Sequence, residues 1–399
     1  MDQTYDAIVV GARCAGSPTA MLLARSGHRV LLVDRSRFPS DTLSTHVIQP
    51  RGVAALSRWG LLDRLKATGC PPIDTYAFDF GPLTITGAPG TPENPVAYCP
   101  RRTILDKLLL DAAAEAGAEI REGFSVDDVT IENGRVTGIA GHGADGERIM
   151  ARARVVVGAD GRNSRVARSV GAKEYNVRPP LLAAYYSYWR GLPMNGRFEI
   201  YIRPHRGFGA AETHDGLTMV IGGWPIAEFE ANKQDIEGNF LRTIALVPDF
   251  AARLRGATRE HSFRHATMTN FFRKPYGPGW VLVGDAAYHK DSITAQGITD
   301  AFREAERCAA SLHDVLAGTR DFDQAMAAYQ RSRDEDVLPM YDFTCQLATL
   351  EPPPAEMQLL IAAIAGKQAA MDAFVQMNAG TISPASFFAP QNIGVLLAA

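Results

Sequence analysis

Residues 6–16 read D-A-I-V-V-G-A-R-C-A-G, an apolar run from Ala7 to Val10 that breaks into a turn flanked by Gly11 and Gly16. A short buried strand, a glycine turn and a helical stretch from Cys14 to Arg25 predict the first half of a β-α-β unit. Arg29 to Val33, ending at Asp34, supplies its second strand. In a dinucleotide-binding turn, G-x-G-x-x-G, the first glycine makes the bend, the second admits the backbone close to a pyrophosphate, and the third lets helix and strand pack closely. Gly11 and Gly16 keep the outer places, with Ala12 and Ala15 beside them, but Arg13 holds the middle one. A Cβ there obstructs close approach, whereas a guanidinium at a helix N-terminus pairs with phosphate oxygens. The expectation is that Arg13 faces a pyrophosphate, or the solvent channel beside it, and replaces proximity by charge. Asp34, followed by Arg35, is placed to accept hydrogen bonds from both hydroxyls of an unphosphorylated ribose, which favours NAD or FAD over NADP.

The composition surrounding this unit is that of an ordinary soluble globular protein. The 399 residues are 46% hydrophobic and 21% charged with a formal net charge of -3, so a nucleic-acid partner is not expected. The N-terminus lacks a basic segment followed by an apolar one, and the longest apolar run, Leu359 to Ala365, is too short to span a bilayer. The reading is a cytoplasmic protein with no transmembrane segment. Cys14, Cys70, Cys99, Cys308 and Cys345 form no C-x-x-C pair, and the histidines show no ligand spacing, so reduced thiols and no metal are expected.

Helical periodicity follows at 51–66 and 103–116. Between Glu119 and Val157 the period drops to two, and Asn133-Gly134 and Asp145-Gly146 mark hairpins of a small inserted meander. Residues 182–265 read as β-rich and aromatic. A glycine-rich strand at Trp280 to Gly284 precedes helices at 299–316 and 322–349. A proline break at 352–354 leads to a last helical segment, Ala355 to Met377, that packs on its own core or on a partner chain.

Two later segments narrow the choice of nucleotide. V-V-V-G-A-D-G-R-N-S-R-V-A-R (155–168) and W-V-L-V-G-D-A-A-Y-H-K-D-S-I-T-A-Q-G-I-T-D-A-F (280–302), together with the opening motif, closely resemble the signature segments of flavoprotein monooxygenases of the para-hydroxybenzoate hydroxylase type. Geranylgeranyl reductases and flavin-dependent halogenases share that fold. The resemblance covers roughly residues 4–340. It implies an α/β fold: a Rossmann-like three-layer FAD-binding domain with the inserted β-meander (1–175 and 266–345), an antiparallel β-sheet substrate domain (176–265), and C-terminal helices (346–399). It implies FAD as cofactor, with Asp160 and Gly161 near the flavin and nicotinamide routes, Arg102 in R-R-T-I-L-D-K-L-L contacting the flavin with Arg101 as its rival, and the backbone of Val126 against the adenine. Physical reasons stand beside two further positions. Asp285 ends a strand where a carboxylate can accept from a ribityl hydroxyl. Gly297 and Ile298 open a helix whose free N–H groups suit the N1-C2=O edge of a reduced flavin.

The activity implied is NADH- or NADPH-dependent monooxygenation, in which a flavin C4a-hydroperoxide passes one atom of molecular oxygen to a small, apolar aromatic or polyketide-like substrate. Candidate substrate contacts are Tyr186, Tyr188 and Trp224. Among His46, His205, His214 and His289, which can assist deprotonation of a phenol or aniline, His289 is the best-placed catalytic candidate because its motif lies by the flavin. This chain carries His289-Lys290-Asp291-Ser292 where the hydroxylases place prolines, which predicts an unusually polar loop. It has no W-x-W-x-I-P segment and no halogenase-type lysine, so halogenation is not expected. A reductase of prenyl-type double bonds and a non-catalytic flavin-binding protein remain as alternatives.

Overall fold

In the computed structural model, which describes residues 4–398, two eight-stranded sheets carry the chain. Thr4–Val10 lies inside the first, parallel to Val30–Asp34 on one side and to Arg148–Gly158 on the other. Glu119–Glu122 and Trp280–Leu282 extend the parallel order outward. Strands covered on both faces read as unbroken apolar runs rather than alternating ones, which is why 7–10 and 30–33 look as they do. Helices Gly16–Arg25, Arg102–Glu115 and Gly297–Leu316 bury Met21, Leu23, Leu105, Leu109, Phe302 and Leu312 in one core against this sheet.

The meander grows out of the same sheet. Arg148–Gly158 pairs antiparallel with Arg135–His142 through its first half and parallel with Trp280–Leu282 through its second. The hairpin between Ser125–Glu132 and Arg135–His142 turns at Asn133 and Gly134, both at positive φ (49° and 76°), as a two-residue primed turn requires. Residues 51–66 form two helices rather than one, Pro50–Arg58 and Leu62–Ala67, separated at Gly60 (φ +73°).

The second sheet is built mainly on the antiparallel strands Leu182–Arg190, Arg197–Arg203, Arg206–Glu212 and Leu217–Pro225. It also takes Thr75–Asp79, parallel to Arg197–Arg203, and Thr84–Gly87, so it is not confined to 176–265. Nor is that stretch all β. Helices Ile236–Ile244 and Pro248–Arg255 cover its outer face, packing Phe240, Ile244, Phe250 and Leu254 on Tyr185, Trp189, Phe208 and Trp224. The inner face carries Tyr186, Tyr188 and Met219. Phe322–Leu347, Ala355–Ile364 and Gln368–Asn378 close it, with Phe343, Ile361, Phe374 and Met377 packed against Phe78 and Met219, so the C-terminal segment packs on its own chain. No helix among the described residues is long and apolar enough to cross a membrane.

Candidate functional site

The glycine turn is as tight as its sequence demands. Gly11 sits at φ +102°, and a Cβ there would lie 2.5 Å from the carbonyl oxygen of Ala159; a Cβ on Gly16 would lie 1.7 Å from the carbonyl oxygen of Gly11. Ala15 abuts Gly284, whose own Cβ would come within 2.7 Å of it. The Asp34 carboxylate is fixed by two backbone donors: Ala12 N–H to Oδ2 and Ser36 N–H to Oδ1, both 2.7 Å. Spare lone pairs on both oxygens remain for a ribose. Arg35 is exposed beside it. Phe124 N–H donates to Asp34 O (2.8 Å) and Gly123 N–H to Ser36 O (3.1 Å), which draws the strand bearing Val126 to this end of the site.

Arg13 answers to protein groups rather than standing free. Its guanidinium donates to Asp106 Oδ2 (2.5 Å) and Ser40 Oγ (2.8 Å) and lies over the Phe38 ring. Asp106 is fully buried and takes Arg102 as well, Nε to Oδ1 at 2.9 Å and Nη2 to Oδ2 at 3.1 Å, while Cys14 Sγ sits 3.4 Å from Oδ1. Burial alone would lower the Arg102 pKa; Asp106, through its charge and hydrogen bonds, together with Cys14 and Asp285 holds the group raised. The sequence singled out both arginines but not the carboxylate joining them, whose signal was its placement four residues after Arg102 on the same helix.

Asp160 acts first on its own loop. Ser164 Oγ (2.5 Å), Arg165 N–H (2.6 Å) and Val166 N–H (3.2 Å) all donate to its carboxylate, tying down the turn at Gly161 (φ +78°) and the short helix after it. Burial nonetheless raises its pKa. Asp285 is exposed in the tight turn Gly284–Ala286 that follows strand Trp280–Leu282, next to Gly284 and hence to Ala15. Beyond it, helix Gly297–Leu316 opens without a side-chain cap. Gly297 is exposed, a Cβ on it would meet nothing within 4 Å, and Ile298 is buried behind it. The site therefore offers a glycine turn and a ribose acceptor at one end and an uncapped helix N-terminus facing open space at the other. FAD fits this donor set.

A cavity of about 310 Å³ begins at the 292–295 turn leading into that helix. Its walls are the inner face of the second sheet (Leu182, Ala184, Ile221) and the C-terminal helices (Phe343, Met357, Phe374), the latter unassigned by the sequence. Tyr186 and Tyr188 continue the Leu182–Ala184 face past the cavity wall, packed on each other and on His46. Trp224 pairs with Ala183 and so points to the opposite face, where its Nε1 donates to Thr243 Oγ1 (3.1 Å); it does not line the cavity.

The histidines separate by environment. His289 Nδ1 is 2.5 Å from the Thr269 carbonyl, its ring stacks on Phe271, and Nε2 lies 4.0 Å from Asp285; it does not line the cavity either. His46 is fully buried next to cavity-lining Thr45, at φ +62°, with Nε2 2.5 Å from the Tyr188 hydroxyl and Nδ1 without a partner. Burial and the positive charges of Arg102 and Arg101 push its pKa well below the usual histidine value. It is therefore a neutral acceptor for Tyr188, whose hydroxyl burial keeps protonated. His214 bridges Thr68 and the Arg101 N–H, and His205 is exposed near Glu351.

The departure at Asp291 has an electrostatic cost. The side chain is buried, Oδ1 accepts from Ile293 N–H (3.0 Å), and Oδ2 has no partner; burial pushes the carboxyl up to about 7. A carboxyl raised in the fold binds its proton more tightly folded than unfolded. Its contribution is therefore complete below the unfolded value near 4, shrinks as pH rises, and is gone above 7, a span of up to about 4 kcal/mol. Buried Glu304, also pushed up to about 7, acts in the same direction. Asp291→Asn is expected to flatten part of the fall in thermal midpoint between pH 5 and pH 8; parallel curves for variant and parent would show the carboxyl already ionised in the fold.

Residues 4–344 match the family described as FAD binding domain. The chain is 29% identical over 351 residues to 6-methylpretetramide 4-monooxygenase of Streptomyces rimosus, spanning 83% of this chain and 81% of that protein. It is also 29% identical over 344 residues to menaquinone reductase of Mycolicibacterium smegmatis, spanning 82% and 80%. Its fold superposes on the myxobacterial chondrochloren halogenase CndH with a TM-score of 0.81 at 24% identity, covering 99% of this chain and 97% of that one. That likeness speaks for the fold alone. With a turn, a ribose acceptor and a helix N-terminus that fit the cofactor, and a match from residue 4 to residue 344, the chain belongs to the FAD-binding-domain family and is a flavin-dependent oxidoreductase.

Proposed function

We propose that this protein is an NADH- or NADPH-dependent monooxygenase acting on a small aromatic or polyketide-like molecule. The observation that carries the reading is the apolar cavity of about 310 Å³ opening at the 292–295 turn, at the mouth of the Gly297 helix. Gly11, Ala12, Ala15, Gly16, Asp34 and Arg35 hold the adenosine and pyrophosphate end of FAD, with the Val126 backbone at the adenine. Arg102, Asp285, Gly297 and Ile298 hold the flavin end, and Asp160-Gly161 borders it. Arg13 acts through Asp106 and the 36–40 loop, adding positive charge near the pyrophosphate without turning its guanidinium to it. Acceptance of electrons from the nicotinamide and delivery of one oxygen atom are the chemistry that FAD supplies when bound. The protein's part is to orient the substrate and exclude water, with Phe78, Phe343 and Phe374 forming dry walls. His289, held by Thr269 and stacked on Phe271, stands outside the cavity wall and supports the loop beside Asp285.

A second reading, reduction of a prenyl-type double bond, draws on the same apolar lining and on the menaquinone reductase relative. Labelled oxygen gas separates the two. With an electron-rich phenolic polyketide and NAD(P)H, nicotinamide oxidation is expected to accelerate on ligand addition and one labelled atom to enter the product. An unlabelled product that forms equally well without oxygen would put the reductase in its place.

A further inference from the structure

Gln49 is a buried amide at the flavin end of the cavity, and its surroundings dictate which way it points. Tyr76 OH lies 2.6 Å from its Oε1, and the Thr294 carbonyl oxygen lies 3.4 Å from its Nε2. A phenol can donate or accept, whereas a carbonyl can only accept, so the amide must turn its NH2 toward Thr294 and its oxygen toward Tyr76. The reverse orientation would set two acceptor oxygens face to face. Burial raises the Tyr76 pKa, keeping the donated proton on the phenol. The backbone is fixed as firmly: Gln49 N–H donates to Thr299 Oγ1 (2.9 Å), in the first turn of the Gly297 helix, and the residue precedes the Pro50–Arg58 helix.

The amide nitrogen is thereby left underused. It carries two hydrogens, its one protein acceptor stands at the long limit of a hydrogen bond, and Gln49 lines the cavity beside Thr45, Thr294 and Ala295. The surrounding wall from Tyr76 to Phe78, Phe198 and Met219 is aromatic or apolar. An oriented donor in such a wall discriminates strongly, because a ligand without an acceptor leaves that donor unpaired away from water.

We propose that Gln49 is a specificity-determining residue. It donates its Nε2–H to an oxygen of a planar aromatic ketone or phenolate, and so sets which edge of the substrate meets the flavin end; Tyr76 is its positioning residue. The inference rests on the reading of this cavity as the substrate site.

The test uses the FAD-loaded protein with three probes of similar shape, 1-naphthol, 1-tetralone and naphthalene, and follows binding through flavin difference spectra and calorimetry. Both oxygen-bearing probes are expected to bind more tightly than naphthalene. Gln49→Leu should weaken them by about fivefold while naphthalene binds as well or better. Tyr76→Phe should erode the same preference without removing a cavity wall. Unchanged FAD content and thermal midpoint certify that each variant is folded. If Gln49→Leu leaves the preference for oxygen intact, the assignment of Gln49 is wrong and the cavity reading stands. If no probe binds, or if Ala184→Trp, which fills the cavity, leaves all three affinities unchanged, the cavity itself is not the substrate site and the assignment falls with it.

Discussion

Asp106→Ala is expected to cost about 3–5 kcal/mol of stability, because it removes the buried carboxylate between two guanidinium groups and leaves Arg102 in the interior without its hydrogen-bonded counter-charge. The loss should appear in chemical denaturation as a lower midpoint with an unchanged slope. It should reach FAD affinity too, since Arg13 and the 36–40 loop are held through the same side chain. Asp106→Asn keeps the shape and one acceptor oxygen and should fall between the two. A midpoint for Asp106→Ala equal to that of the parent would mean that Arg102 finds another partner or water, and that the carboxylate is not the keystone of this end of the site.

Gly16→Ala is expected to be as damaging for a steric reason. The added Cβ would lie 1.7 Å from the Gly11 carbonyl oxygen, and the neighbours that would have to yield are backbone and the Ala159 side chain rather than the tip of a flexible chain. Helix Gly16–Arg25 would have to move off the sheet, at a cost of about 3 kcal/mol or more. Purified variant should carry little FAD and melt early. Gly394→Ala, on the C-terminal helix Pro390–Ala398, is the control, because its Cβ meets nothing within 4 Å and it lies outside the residues assigned to FAD. Full FAD occupancy in Gly16→Ala would show that the turn relaxes in a way the close contact forbids.

The opening unit was readable because its constraints are local: a strand buried on both faces, two glycines where backbones touch, an acid at a strand end. What stayed hidden depends on chain segments distant in sequence. Arg13 was expected to turn to a phosphate, but only the fold reveals that Asp106, 93 residues later, takes its guanidinium. Trp224 looked like a ligand contact until its pairing with Ala183 fixed the face it occupies. The helices at 236–255 were absorbed into a β-rich reading because aromatic residues dominated their surroundings. Gln49 carried no motif; its meaning comes from Tyr76 and Thr294 on either side.

The parallel pairing of Thr75–Asp79 with Arg197–Arg203 has a consequence for how the chain is made. The register partner of Thr75 is Arg197. At roughly 5–20 residues per second, a ribosome delivers that partner about 6–25 s after Thr75 has been synthesised. Until then the Thr75–Gly87 hairpin carries Tyr76, Phe78 and Ile85 with only part of their cluster made and one edge open to any passing strand. The lobe that shapes the cavity is thus completed late and from both directions along the chain, so slowing translation between these two segments is expected to prolong the interval in which that edge stays exposed.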